Sequence, residues 1–128
     1  MGLFSKRRQE KDEPVRIPAL FMRALAAMEH EDVDCSVYYQ DALAAVQPFE
    51  RVRLELRKPT RRVVPEPYDL EDGSLAVLLD GSFVGFLPTH KVERRGLKPT
   101  KAAYGYVVPP YIDTAGLSND MHRLVLLA

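Results

Sequence analysis

Residues 66–88 read EPYDLEDGSLAVLLDGSFVGFLP, and this stretch limits the fold more than any other. Leu75 opens an unbroken apolar run to Leu79, Asp80-Gly81 follows, and a second run from Ser82 to Leu87 is stopped by Pro88. Asp-Gly between two such runs is a strong hairpin signal, because both central residues of a type I′ turn need positive φ. Both faces of the first run are apolar, so the pattern predicts a central hairpin that the rest of the chain must cover.

The covering elements are short. At 128 residues the chain suits one domain, large enough to bury roughly two thirds of its unfolded surface. Ten prolines and seven glycines spread along it favour many brief elements over a few long helices. Residues 1–17 are charged and mixed in sign, so they read as a flexible arm, and residues 18–128 read as the domain. Within it, residues 18–31 carry Leu20, Phe21, Ala24, Leu25 and Met28 at helical spacing, with Pro18 suited to the first turn. That amphipathic helix either packs on the domain's own sheet or fills a groove on a partner.

Residues 33–39, VDCSVYY, read as a strand with Val33, Cys35 and Val37 on one face and Tyr38 on the other. Asp41 then caps a short helix over residues 42–46, ended by Pro48. Residues 50–58 alternate most cleanly: Val52, Leu54 and Leu56 face one way, while Arg51, Arg53, Glu55 and Arg57 face the other. After the hairpin come a helical turn over 88–95 ended at Gly96, a weakly alternating strand over 102–108, an exposed polar loop over 109–119, and a closing strand over 121–128. The sum is mainly β with short helices: a small, mostly antiparallel barrel of five or six strands.

Formal net charge is zero, but the charges are segregated. Arg51, Arg53, Arg57, Lys58, Arg61 and Arg62 form one basic run, and Lys91, Arg94, Arg95, Lys98 and Lys101 form another. Glu66, Asp69, Glu71, Asp72 and Asp80 lie between them. A cationic strand face is either a solvated surface or a phosphate-binding one. No metal-ligand spacing links His30, His90 and His122, and the single cysteine, Cys35, suits a reducing compartment. No nucleophile, phosphate-loop or dinucleotide motif occurs, so the chain is expected to be non-enzymatic and to need no cofactor. No apolar run approaches membrane-spanning length, which points to a cytoplasmic protein with no membrane partner.

The order of Tyr38-Tyr39, the strand Arg51 to Arg57, Glu66-Pro67-Tyr68-Asp69, Ala76-Val77, Asp80-Gly81 and Val84-Gly85-Phe86-Leu87-Pro88 resembles the HIRAN domain. Val107-Val108-Pro109-Pro110-Tyr111 resembles its C-terminal part. The resemblance covers residues 33–128 and implies a small SH3- or OB-like β-barrel that grips the 3′-hydroxyl end of single-stranded DNA. It also implies a larger DNA-processing partner, since such domains are often appended to helicases and remodelling enzymes. On this chain Tyr38 and Tyr68 would stack on the terminal bases, Asp69 would accept from the 3′ hydroxyl, and Tyr111 would wedge bases. Arg51, Arg53, Arg57, Arg61, Arg62, Lys91 and Lys98 would supply backbone contacts. The chain departs from the DNA-binding members at Val37, where they carry arginine, and at Glu66, where they carry asparagine. A protein–protein or self-associating module on the same fold is the alternative.

Overall fold

The computed structural model describes residues 19–35, 39–47, 50–66, 68–112, 118–119 and 121–127. The expected arm at residues 1–17, Pro18, Val37 and Tyr38 lie outside the described residues. The elements run α1 (Ala19–Ala27), β1 (His30–Cys35), α2 (Gln40–Ala44), β2 (Arg51–Arg57), β3 (Leu75–Leu79) and β4 (Ser82–Leu87). They continue with α3 (Thr89–Arg95), β5 (Thr100–Val108), β6 (Tyr111–Ile112), β7 (Ser118–Asn119) and β8 (Arg123–Leu127).

Six strands close into an antiparallel barrel in the order β1-β4-β3-β2-β5-β8, with β8 pairing back on β1. The Asp80-Gly81 hairpin is its middle. Leu79 pairs with Ser82, and Asp80 and Gly81 take φ of 51° and 78°, the left-handed pair that the sequence demands. All of β3 is buried because both its faces are covered. Leu75, Val77 and Leu79 point into the barrel and meet Val84, Leu87, Leu54, Leu56, Val107, Leu124 and Leu126. Closure removes the unpaired edges that an open sheet of such strands would expose. Leu43 of α2 is fully buried in the same core, and Val92 of α3 packs against it. Burying each such leucine contributes about 1.5–3 kcal/mol.

Gly105 shows how tightly the wall is built. A Cβ there would overlap the carbonyl oxygen of Val125 on β8, so glycine is what lets β5 and β8 approach.

Four boundaries differ from the sequence reading. α1 stops at Ala27, and His30 and Glu31 already belong to β1, where they pair with Leu127 and Leu126. Leu25 of α1 is buried against Val108 and Val125, while Ala24 is exposed and Met28 is 36% exposed, so the apolar stripe is narrower than its spacing suggests. β1 is displaced towards the N-terminus relative to 33–39, and Tyr39 precedes α2 as its N-cap residue, a place expected for Asp41. The segment expected as a polar loop over 109–119 contains a short antiparallel pairing, Tyr111 with Asn119 and Ile112 with Ser118.

Candidate functional site

The outer face of the β3–β4 hairpin is covered by the connection that leaves β2. Thr60 accepts from the backbone N–H groups of Val63 and Val64 at 2.9 and 2.8 Å, and Pro65 accepts from Tyr68 at 3.0 Å. These turns fold residues 60–66 and Tyr68 back over the hairpin. Val64 is thereby buried on Ala76 and Phe83, with Tyr39, Tyr68 and Leu70 around them. Three rings form the lid of this outer cluster. Tyr39 meets Phe83 edge-on at 5.4 Å, Tyr68 lies 5.7 Å from Phe83, and Tyr39 and Tyr68 are 6.1 Å apart. Such contacts exceed simple area burial by about 0.5–1.5 kcal/mol each.

A Tyr-Asp pair in a tight turn suggests two exposed side chains, but Tyr68 and Asp69 differ. The Tyr68 ring is half-buried, and its hydroxyl is fully buried with no hydrogen-bond partner among the described residues. Leaving a buried hydroxyl unpaired costs about 1–3 kcal/mol, so this oxygen is a point of stored cost. Burial, followed by the neighbouring Tyr68 hydroxyl, raises the pKa of Tyr39, so that phenol stays protonated at neutral pH. Asp69 is the exposed member, its side chain 88% open. Arg61 holds it in place: Nη1 donates to the Tyr68 carbonyl at 2.8 Å and Nη2 to Asp69 Oδ1 at 3.3 Å. The result is a guanidinium and a carboxylate side by side at the lip of an aromatic cluster.

This lip adjoins the cationic strand. Arg57 pairs with Ala76, whose methyl lies in the outer cluster, so the C-terminal end of β2 abuts it. From there the outer face of β2 runs back through Arg53 and Arg51, both exposed, to a cross-strand neighbour on β5 that the sequence reading did not single out. Tyr104 pairs with Arg53, is 39% exposed, and lies with its ring centroid 4.8 Å from the Arg51 guanidinium. The register shifts between Leu54 and Leu56, so that Lys101 and Ala102 oppose Glu55. Thr100 Oγ1 accepts from Ala102 N at 3.1 Å, and Arg53 Nε donates to the Lys101 carbonyl at 3.0 Å, which satisfies the bulge. Beside it opens a cleft of about 270 Å³ lined by Glu55, Leu56, Arg57, Lys58, Pro99, Thr100 and Lys101.

The second basic run divides. In a ring of six strands β1 lies three places from β2 in either direction, on the far side of the barrel. Lys91 is there, donating to the Asp32 carbonyl at 2.8 Å and Asp34 Oδ1 at 3.0 Å. Arg94 and Arg95 each place Nε 3.0 Å from Glu31 Oε1, and Arg123 grips Asp32 at 2.8 and 3.0 Å. Lys91 therefore does not join the β2 arginines, a correction to the single basic surface implied by the sequence. Burial would raise the Glu31 pKa, but its hydrogen bonds and proximity to the two arginines outweigh this and hold it below the usual carboxylate value. Lys98 is exposed and precedes Pro99 at the cleft, and Arg62 is exposed beside Arg61. Tyr38 lies outside the described residues, and Tyr111 is described by its β6 backbone alone.

Fold and site together define a closed, six-stranded antiparallel β-barrel with a basic outer strand leading to an aromatic–acid lip. No protein-family model, curated protein or solved structure matches the chain. Among the described residues no group of His, Cys, Asp and Glu is placed to hold a metal ion, and no helix is long and apolar enough to cross a membrane.

Proposed function

We propose that this protein is a HIRAN-like, non-enzymatic module that binds the 3′-hydroxyl end of single-stranded DNA, within a larger DNA-processing assembly. The observation that carries the reading is the Arg61–Asp69 pair beside Tyr68. A strand end presents a free hydroxyl and, one sugar back, a phosphate. Asp69, with Oδ2 free of the Arg61 contact among the described residues, accepts from the hydroxyl, and Arg61 faces the phosphate. Tyr68 offers the open part of its half-buried ring for the terminal base. A phosphate in place of the terminal hydroxyl meets the Asp69 carboxylate and is disfavoured. Tyr38 and Tyr111 complete the base contacts in this proposal, and Arg51, Arg53, Arg57, Arg62 and Lys98 attract the backbone.

The test is a fluorescence-anisotropy titration with labelled single strands ending in 3′ hydroxyl or 3′ phosphate. Tighter binding of the hydroxyl strand is expected, with the preference abolished in Asp69→Asn and binding of both weakened in Tyr68→Ala. Equal, negligible binding of both strands by the unaltered protein refutes the proposal and leaves a protein-interaction module.

A further inference from the structure

The barrel's outer surface is covered unevenly. α1 lies over β5 and β8 through Leu25, Val64, Tyr68 and Leu70 lie over β3 and β4, and α3 reaches across to β1 with Lys91 and both arginines. The outer face of β2, with the first half of β5, has no such cover among the described residues, and it is the face that carries the cations. From Arg51 to Arg57 it spans about 20 Å at the usual rise of a strand. An exposed ring, Tyr104, stands at one end, and the bulge cleft lies at the other. In the cleft Arg57, Lys58 and Lys101 outnumber the lone carboxylate, Glu55, which Arg57 holds at 3.8 Å. Pro99 and Leu56 line part of it with apolar surface, enough to accept a sugar but with no polar code for a base edge.

We infer that this face is a second DNA-binding subsite: the cleft between Arg57, Lys58 and Lys101 takes an internal backbone phosphate, and Tyr104 stacks on an upstream base of the same strand. The inference rests on the end-binding reading only for the direction of the strand, which runs from Tyr104 over the cleft to Asp69. Its recognition chemistry is independent of the end. Phosphates are held by charge without regard to sequence, and a ring accepts any base face. Arg53 is the positioning residue, because its bond to the Lys101 carbonyl fixes the bulge that shapes the cleft. The irregular register is thereby given a use. Bulges re-aim side chains, and this one turns Lys101 towards the same opening as Arg57.

The experiment compares oligothymidylates of about 4 and about 12 nucleotides, lengths that bracket the lower range of strand occupied by one small barrel. Each is prepared with 3′ hydroxyl and 3′ phosphate and titrated across salt concentrations. The longer strand is expected to bind at least about fivefold tighter, since one stacked base alone contributes about 1–3 kcal/mol. The double variant Lys58→Ala, Lys101→Ala should lose most of that gain and flatten the logarithmic salt dependence by about 0.7, the value for one phosphate contact. Tyr104→Ala should lose part of the gain with no change in salt slope, and Tyr104→Phe should restore it. None of these variants should alter the hydroxyl preference of the short strand. Equal binding of both lengths, or a length gain that survives the double lysine variant, overturns the inference while leaving an observed hydroxyl preference intact. A length gain lost in the variants without any hydroxyl preference supports the subsite and refutes end recognition. No binding of either length overturns both.

Discussion

Gln40 and His122 exchange two hydrogen bonds across the fold: Gln40 Nε2 donates to the His122 carbonyl at 3.1 Å, and the His122 N–H donates to Gln40 Oε1 at 2.6 Å. A side-chain amide thus behaves as a piece of backbone, closing a ring with the residue just ahead of β8. This pins α2, whose Leu43 fills the barrel core, to the last strand of the wall. Gln40→Ala removes both partners of a partly buried peptide and is expected to cost about 1–3 kcal/mol in urea denaturation. Gln40→Glu keeps an acceptor for the N–H but sets a carboxylate against the carbonyl, so it should recover only part of that loss.

Two groups among the described residues make stability depend on acid, in separate windows. Burial lowers the pKa of His122 below 6.5 in the folded state, so its contribution is complete above 6.5 and is lost as pH falls through the depressed value. For Glu31 the net shift from 4.5 is also downward, so its contribution is full above 4.5 and is lost as pH falls through the folded value. Chemical denaturation measured from pH 7 to pH 3 should therefore show a first decline below 6.5 and a second below 4.5. Glu31→Gln should remove the second alone and cost about 1.5–3 kcal/mol at pH 7, the range for hydrogen bonds to a charged group. A second decline of unchanged size in that variant refutes the assignment.

The inner barrel was legible because its information is local. Alternation in Arg51–Arg57, the apolar runs of β3 and β4 and the Asp80-Gly81 turn each state their own conformation. Cross-strand partners are not local. Nothing in the sequence near Tyr104 says that Arg51 will cover it, and nothing near Lys91 says that its partners sit on β1. Closure of the ring instead splits the second basic run, with Lys91, Arg94 and Arg95 at β1 across the barrel from β2 and Lys101 beside β2. The burial of Tyr68 is hidden from the sequence for a related reason. Tyr-Asp in a turn looks exposed, but Phe83 and Tyr39 arrive from other elements to cover its hydroxyl end.

Glycines at Gly105 and Gly81 should respond oppositely in kind to the same change. At Gly81 an added Cβ meets nothing within 4 Å, and the cost of Gly81→Ala is that of φ 78° alone, about 1–2 kcal/mol. At Gly105 the obstacle is backbone, the Val125 carbonyl, which cannot turn aside as a side-chain tip does. Gly105→Ala must push β5 from β8 or twist the pair, and should cost about 3 kcal/mol or more. Thermal melts of the two variants side by side test this. A Gly105→Ala protein as stable as Gly81→Ala would mean that the β5–β8 approach is looser than described.

The orphaned hydroxyl of Tyr68 separates stability from binding. In Tyr68→Phe the ring contacts with Tyr39 and Phe83 are kept, and the only loss is an oxygen that is buried without a partner. Removing it deletes a desolvation cost without breaking a hydrogen bond, so the folded protein should be unchanged or more stable by up to about 1 kcal/mol. Tyr68→Ala, which opens the cluster over Ala76 and Phe83, should instead cost about 2–4 kcal/mol as a large-to-small change at a half-buried site. Because the hydroxyl is enclosed, Tyr68→Phe, which keeps the ring, should leave strand binding unchanged while stability holds or rises, whereas Tyr68→Ala should weaken both. Urea denaturation and anisotropy titration on the same preparation distinguish the two, and a marked loss of stability in Tyr68→Phe would show that the oxygen has a partner after all.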